Sequence, residues 1–525
     1  MIPSTVPSDG PWTHRSALSS AGKERWAAYP VPMRRALSGL RRLSPEWRDT
    51  VAYACSALFA GVTALAVGIP LYRQWGQMAV APYLVAAGVT ALAGWRCTVA
   101  GRRTPETGPP DGAGVSEGAE PSPTGVRWRK AARVVAFLVV LFGATVVPLT
   151  MEVIWRSEGN AALHVQPEVL VVERAGVRAA QGKDPYQVID RNGHILIHQS
   201  KEPVYELYYP YLPGMVIFGF SSGSRVEARL TDARIQFLVF TLVITLLALS
   251  RIRPATDARY RALQALTVLP TAALPLSTGG DDMPVVALML LGLVALQRRR
   301  PLLAGLVLGA ASSLKFTAWP LVVLAAWAAY DQRRHRAIGR YVVGVVAVVV
   351  PVVVPVALRN PSAFVDNVIR FPLGLAGVSS PAGSALPGHI LVSAFPGIHR
   401  PYVVVVVVVG VAVLIRHLLR RPPRDAAGVA ALTGWVMLVA ILVAPATRVG
   451  YLLYPINLFL WAWMLRQADD PADEHGGPSP TGGEARTEVA GPGADQLPSG
   501  SWNSSREKGV VPVDVVGDTT APTSQ

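Results

Sequence analysis

Residues 341–358 read YVVGVVAVVVPVVVPVAL and contain no charged side chain. An apolar run of about 18 residues is long enough to cross the hydrocarbon core of a bilayer as a helix. The whole chain shares this character, because 51% of its 525 residues are hydrophobic and only 16% are charged. A soluble domain carries roughly 25% charged residues. The sequence therefore predicts an all-α polytopic membrane protein and not a set of soluble domains.

Similar apolar blocks recur along the chain and predict about 12 transmembrane helices. They lie at residues 51–70, 78–95, 132–154, 235–250, 262–278, 283–297, 302–314, 317–330, 341–358, 402–415, 428–444 and 450–465. Arginine-rich loops alternate with loops that carry few charges, and the net charge is +15. Because basic loops stay in the cytoplasm, both termini are expected there. The positive charge is thus explained by membrane orientation, and nucleic acid is not an expected partner.

Polar segments flank and interrupt the transmembrane domain, which we place at residues 49–465. Their composition predicts disorder, because they cannot bury enough apolar surface to offset chain entropy. They are the basic N-terminus 1–48, the cytoplasmic linker 96–130 and the C-terminal tail 466–525. On the external side, two large loops are expected at 155–234 and 359–401. External loops of this length are usually functional.

The first external loop carries two glutamates shortly after the third predicted helix. Residues 164–186 read HVQPEVLVVERAGVRAAQGKDPY, which predicts an amphipathic interfacial helix from Glu168 that ends near Gly182. Glu168 and Glu173 are five residues apart, so on a helix they point about 140° away from each other. Only one of them can face a given cavity. Residues 205–220, YELYYPYLPGMVIFGF, then form an aromatic segment whose tyrosines an interfacial belt would also explain.

Charged side chains mark three later external turns, and each has a structural alternative. Lys315 is the only lysine between residues 235 and 465 and interrupts an apolar region, where a charge is costly and usually functional. Snorkelling to the interface is its alternative. Asp281 and Asp282 bind sugar hydroxyls or cap the following helix. Arg448 is a phosphate-binding candidate or an interfacial anchor. His389, in the second large external loop, is a further candidate.

The order of these motifs resembles the GT-C superfamily of membrane glycosyltransferases over residues 130–465. It is most similar to glycosyltransferase family 87, the polyprenyl-phosphate-mannose-dependent branch. The matching motifs are Glu168 at the start of the first external loop, Gly182-Lys183-Asp184-Pro185-Tyr186, Tyr208-Tyr209-Pro210-Tyr211-Leu212-Pro213, Gly279-Gly280-Asp281-Asp282, and Lys315 followed by Pro320. The first two predicted helices and the 96–130 linker are an addition to the family's arrangement.

The resemblance implies transfer of a sugar from a polyprenyl-phosphate donor, with inversion, on the external face, without cofactor or metal. One carboxylate would be the base, and the register leaves it open between Glu168 and Glu173. We favour Glu168, because it is nearer the helix start and the membrane. The donor phosphate or sugar would be bound by Lys315, Arg448, Asp281, Asp282, Asp184, Tyr186, Tyr209 and His389. The partners would be that donor, a glycolipid or cell-wall glycan acceptor, and membrane lipids.

Other functions stay open from the sequence alone. A transporter or flippase of a lipid-linked or polar substrate would also be polytopic, although the chain has no paired halves with matching broken helices. A non-catalytic membrane scaffold would keep the fold without the base. Asp281, Asp282 and Glu168 would be ligands for a divalent cation, if the chemistry used one.

Overall fold

The computed structural model describes residues 43–102, 123–159, 161–186, 203–223, 227, 229–253, 256–331, 335–376, 378 and 382–468. All of them belong to one compact unit, Met1–Pro471. Within these ranges the chain is helical and forms no β-strand, which confirms the all-α prediction. Most of the polar N-terminus, part of the 96–130 linker and nearly all of the C-terminal tail lie outside the described residues.

The α-helices follow the apolar blocks, with short helices in the loops expected to be external. In chain order they are α1 (Pro45–Ala66), α2 (Pro70–Arg102), α3 (Pro123–Val140), α4 (Val147–Glu158), α5 (Ala161–His164), α6 (Pro167–Ala180), α7 (Ala233–Ser250), α8 (Thr256–Thr267), α9 (Pro270–Thr278), α10 (Asp282–Gln297), α11 (Pro301–Leu314), α12 (Trp319–Asp331), α13 (His335–Arg359), α14 (Pro361–Val365), α15 (Pro387–Ala394), α16 (His399–Arg420), α17 (Ala426–Val443) and α18 (Leu453–Ala468). A π-helical turn, Leu141–Val146, joins α3 to α4. The segment Pro213–Gly223 is a 3₁₀ helix.

Seven helical segments in the described part of the chain are long and apolar enough to cross a membrane, and the predicted number of about 12 is not confirmed. They are α1, α2, α3 with α4, α7, α13, α16 with the turn before it, and α17. Helices α10, α11 and α12 are apolar but shorter. At 1.5 Å per residue, the 14 residues of α11 span about 21 Å, less than the roughly 30 Å hydrocarbon core. Proline explains one break, because Pro270 begins α9 inside the predicted span 262–278.

The N-terminal helix pair packs against the rest of the unit through buried charges at the end predicted to be cytoplasmic. Asp49 on α1 is fully buried and accepts hydrogen bonds from Arg133 on α3 and Arg261 on α8, both at 2.5 Å. Glu46 on α1 forms a bidentate ion pair with Arg129 on α3 at 2.8 and 2.9 Å. The two added helices are therefore an integrated part of the structure.

Helix α6 is positioned by close backbone contacts that require glycine. A Cβ atom on Gly176 would lie 2.2 Å from the carbonyl carbon of Gly219 in the 3₁₀ helix. Gly279, at φ +123°, ends α9, and a Cβ atom there would lie 2.2 Å from Cγ2 of Val169 on α6. Gln166 completes this contact, because its backbone N–H donates to the Thr278 carbonyl at 3.2 Å. The start of α6 is thereby held against the Gly279–Asp282 turn.

Candidate active site

Glu168 lies in the first turn of α6, directly after Pro167, which begins the helix. Proline suits this position because its missing N–H is not needed there. Oε1 of Glu168 accepts a hydrogen bond from Nη1 of Arg448, and the two groups form an ion pair. Oε2 is buried and has no hydrogen-bond partner among the described residues. One oxygen of this carboxylate is thus paired with a cation, and the other has no partner among the described residues.

Arg448 lies on the loop between α17 and α18, and the segment before α15 holds that loop in place. Thr447 forms a parallel bridge with Gly383 and donates its backbone N–H to Ala382 at 2.8 Å. The backbone N–H of Val449 donates to the Ser384 hydroxyl at 3.0 Å. Although burial lowers the pKa of Arg448, the Glu168 carboxylate raises it above its ordinary value overall. Arg448 is therefore a fixed cation.

Lys315 bridges two aspartates in a second cluster. Its ammonium Nζ lies 2.8 Å from Oδ1 of Asp281 and 2.5 Å from Oδ1 of Asp282. Tyr454 donates its hydroxyl to the same Asp282 oxygen at 2.6 Å. Lys315 is buried, in contrast to a snorkelling lysine, and Asp281 makes no side-chain capping bond to α10. The contacts of Lys315 therefore differ from those of a snorkelling lysine, and those of Asp281 differ from those of a side-chain helix cap.

The electrostatics of this second cluster are set by burial. Burial raises the pKa of Asp281 to about 6, against the opposing effect of Lys315. Burial lowers the pKa of Lys315, but the two aspartates raise it above its ordinary value overall. Oδ2 of Asp281 is buried without a hydrogen-bond partner in the described ranges. Tyr211 also lies within electrostatic reach of Asp281.

Two tyrosines join the Glu168–Arg448 pair to the Lys315 cluster. Nζ of Lys315 lies 5.0 Å from the centroid of the Tyr211 ring, within the range of a cation–π contact. Tyr451 is within electrostatic reach of Lys315, Asp282, Arg448 and Glu168. The two clusters therefore form one site. It contains five residues singled out from the sequence: Glu168, Asp281, Asp282, Lys315 and Arg448.

Glu173 lies in a different charge network. It forms a bidentate ion pair with Arg156 on α4, at 2.6 and 3.1 Å, and accepts the backbone N–H of Ala233 at 3.1 Å. Arg156 also donates to Asp232 at 2.6 Å, and Asp232 pairs with the fully buried Arg234. This network joins α6 to α4 and α7. The wide angle between Glu168 and Glu173 on one helix accounts for their separate surroundings.

Three further candidates, Asp184, Tyr186 and Tyr209, lie between α6 and the 3₁₀ helix and make structural contacts. Asp184 accepts the backbone N–H of Tyr186 at 2.9 Å and so closes a tight turn after α6. Tyr186 is fully buried, and its hydroxyl donates to the Tyr211 carbonyl at 2.9 Å. Tyr209 is buried, and its backbone N–H donates to Asn367 at 2.8 Å. These contacts position the backbone of Tyr211, and the burial differs from that of an interfacial aromatic belt.

His389 lies beside the Arg448 loop, with Nδ1 2.8 Å from the Pro445 carbonyl. Sequence reasoning missed Tyr451 and Tyr454, although they follow Arg448 closely in the chain. It also missed Tyr211 as the residue above Lys315, because the tyrosines of that segment are not distinguishable by pattern. In the part of the chain that the structure describes, no group of three or more His, Cys, Asp and Glu side chains is placed to hold a metal ion.

Comparison with known proteins gives one match. Residues 226–445 match the model of glycosyltransferase family 87, which confirms the resemblance seen in the motifs. No curated protein and no solved structure matches the chain. The matched segment includes Asp281, Asp282, Lys315 and His389, begins after Glu168 and ends three residues before Arg448. The match indicates a glycosyltransferase, and the structure brings Glu168 and Arg448 to the charged residues of the matched segment.

Proposed function

We propose that this protein transfers a sugar, mannose or a related pentose or hexose, from a polyprenyl-phosphate donor to a cell-envelope acceptor. The transfer inverts the configuration at the sugar carbon and takes place on the external face of the cell membrane. The observation that carries the proposal is the Glu168 carboxylate, which has one unpartnered oxygen beside the guanidinium of Arg448. The transfer needs a proton acceptor and a phosphate-binding cation next to each other.

Glu168 is the proposed base. It lies in the first turn of α6, and its Oε2 has no hydrogen-bond partner among the described residues. Glu173 is a weaker candidate, because both of its oxygens already bond to Arg156 and one also to Ala233. In the reaction the acceptor oxygen bonds to the anomeric carbon, and the bond from that carbon to the phosphate oxygen breaks. The acceptor proton goes to Glu168, and polyprenyl phosphate leaves with the electron pair.

Arg448 has two proposed roles. It pairs with the Glu168 carboxylate and so holds the base in place. It also binds the donor phosphate, because its planar array of donors suits phosphate geometry. The base and the leaving phosphate are thereby brought next to each other, as the transfer requires.

Lys315 is the proposed second cation for the phosphate. It starts from two aspartate contacts, so the phosphate replaces at least one of them. Asp281 is the one that can give way, because its pKa of about 6 lets it take up a proton near neutral pH. The unpaired oxygen of Asp281 is placed to bind a hydroxyl of the transferred sugar. Tyr454 keeps Asp282 in position meanwhile.

The membrane arrangement proposed with this function has about 12 crossings and both termini in the cytoplasm. Two groups of contacts support it. The loops expected outside meet at the site, where Glu168 pairs with Arg448 and Lys315 with Asp281 and Asp282. The segments expected inside meet in the network of Asp49, Arg133 and Arg261. The shorter helices α11 and α12 enter and leave on the cytoplasmic side and turn at Lys315.

The direct test is donor consumption by the full-length protein in lipid nanodiscs. A panel of polyprenyl-phosphate sugars is offered with alkyl glycosides as acceptors, and released polyprenyl phosphate is measured. We expect one donor to be consumed only when an acceptor is present. If no donor is consumed, but a labelled lipid-linked sugar crosses reconstituted vesicles, the protein is a flippase and the proposal fails. If neither occurs, the scaffold reading replaces it.

A further inference from the structure

A polar cleft of about 490 Å³ opens beside the site, and the proposed reaction does not use it. The described residues that line it are Gln74, Trp155, Glu158, Gly159 and His164. They come from the start of α2, the end of α4 and the end of α5. Because Gln74 belongs to the N-terminal helix pair, the cleft includes a part of the chain that precedes the family 87 match.

His164 is held firmly at the wall of this cleft. Glu152 on α4 is fully buried, and its Oε2 lies 2.8 Å from Nδ1 of His164. Nη1 of Arg234 donates to the backbone carbonyl of His164 at 2.7 Å. The rings of Trp155 and His164 are 5.6 Å apart between centroids. With Nδ1 occupied by Glu152, Nε2 is the ring nitrogen that can bond a ligand.

The cleft is close to the proposed base. His164 precedes Glu168 by four residues, so their Cα atoms are at most about 14 Å apart even in a fully extended chain. Gln166 lies between them, and its amide donates to the Tyr72 hydroxyl at 2.9 Å. Tyr72 is in turn within electrostatic reach of Glu168 and Arg448. A ligand that lies in the cleft and reaches Glu168 must therefore be longer than one sugar ring.

The lining residues match a neutral, hydroxyl-rich ligand. Trp155 provides an aromatic surface for the apolar face of a sugar ring. Glu158 and Gln74 accept hydrogen bonds from hydroxyls, and Oε1 of Gln74 is buried without a partner in the described part of the chain. None of the described residues that line the cleft is a lysine or arginine, and the carboxylate of Glu158 repels anions. This lining favours a neutral ligand over a phosphate or a uronic acid.

We propose that this cleft binds the acceptor, and that the acceptor is a neutral glycan of at least two sugars. One sugar lies against Trp155, Gln74 and Glu158, and the next presents its hydroxyl to Glu168. This inference rests on the proposed transfer and adds the acceptor class to it. It separates the two substrates, because the anionic donor is attracted to Arg448 and Lys315 and the neutral acceptor lies on the side of α2 and α4.

Binding without donor tests the cleft independently of turnover. The full-length protein in nanodiscs is titrated calorimetrically with octyl glycosides that carry one, two or three mannose units, and with octyl glucuronide as an anionic probe. We expect the disaccharide to bind about tenfold more tightly than the monosaccharide, the gain of one stacked and hydrogen-bonded sugar. The anionic probe should bind more weakly than the neutral monosaccharide. Equal affinities for one and two sugars, or a preference for the glucuronide, would overturn the proposal.

Variants locate the binding. Trp155→Ala and Gln74→Ala should each abolish the disaccharide gain, and Trp155→Phe should keep part of it. The matched control is Trp435→Ala, which removes an exposed tryptophan on α17 that contacts Phe459. If Trp155→Ala keeps the disaccharide gain, as the control should, Trp155 is only a membrane anchor and the cleft is not the acceptor site. Thermal unfolding of each variant excludes a global loss of structure.

The same variants separate this inference from the proposed function. If the protein transfers sugar but Trp155→Ala leaves the acceptor KM unchanged, the proposed transfer stands and the acceptor role of the cleft is wrong. If the protein binds the disaccharide through Trp155 but releases no polyprenyl phosphate, the cleft is a glycan-binding site and the proposed transfer is wrong.

Discussion

Replacing Glu168 by glutamine removes a proton acceptor and keeps the size of the side chain. If Glu168 is the base, kcat should fall by about a hundredfold or more, the low end of a general-base contribution. Donor affinity should not weaken, because the neutral amide no longer competes with the donor phosphate for Arg448. The expected pattern is therefore a large loss in kcat with an unchanged or lower donor Kd. It is measured by single-turnover release of polyprenyl phosphate and by donor titration.

Glu173→Gln is the matched control, because it is the same change on the same helix. It leaves Arg156 with Asp232 as its remaining charge partner in the network. The side chains of Arg156 and Glu173 are 19% and 11% exposed, so the weakened contact should cost about 1–3 kcal/mol of folding stability. Unfolding should then begin a few degrees lower, with kcat of the folded protein within about threefold of the wild type. If the two results are exchanged, Glu173 is the base. If neither variant slows transfer, a single-base glycosyltransferase is refuted.

Four further outcomes are expected. Lys315→Ala should weaken binding of the donor more than binding of the acceptor, and Lys315→Arg should restore part of the donor affinity, because a lysine acts on phosphate mainly by charge. An unchanged donor Kd in the alanine variant would contradict this. Gly279→Ala should abolish activity, because its Cβ atom would overlap Val169 and its φ of +123° is strained for alanine; wild-type transfer rates would show that α6 tolerates displacement. An impermeant thiol reagent should label a cysteine placed at Ser200, but not one placed at Ser501, in intact cells. The reverse labelling would show that the proposed membrane orientation is wrong. Removal of residues 470–525 should leave turnover intact, which a correctly inserted but inactive truncated protein would disprove.

The positions of the helices were predictable because membrane burial is a local property of the sequence. An apolar block must satisfy its backbone hydrogen bonds internally, so it forms a helix wherever it lies in the bilayer. The number of full crossings was not predictable in the same way. Helix α11 is shorter than the hydrocarbon core and ends at the turn of Lys315, whose ammonium contacts Asp281 and Asp282 from another part of the chain.

The residues of the site were predictable, but their partners were not. Lys315, Arg448 and the two aspartates are conspicuous because charges are rare at the ends of apolar blocks. That Arg448 pairs with Glu168 could not be read from the sequence, since 280 positions separate them. Helical periodicity did separate Glu168 from Glu173, because it depends only on a spacing of five residues. The choice between them needed the contacts of Arg156.

The ion pairs of the site have a consequence for the order of binding. Lys315 is buried, and a buried cation without a partner is strongly destabilising. The two aspartates neutralise Lys315, and Glu168 pairs with the partly exposed Arg448. Donor phosphate can replace these carboxylates, whereas a neutral acceptor cannot. An acceptor that arrives first therefore meets a base held by Arg448, and productive transfer begins with the donor. Initial-rate kinetics should accordingly show ordered addition of the substrates with the donor first. Acceptor-first or random addition would show that the ion pair of Arg448 and Glu168 does not control the order of binding.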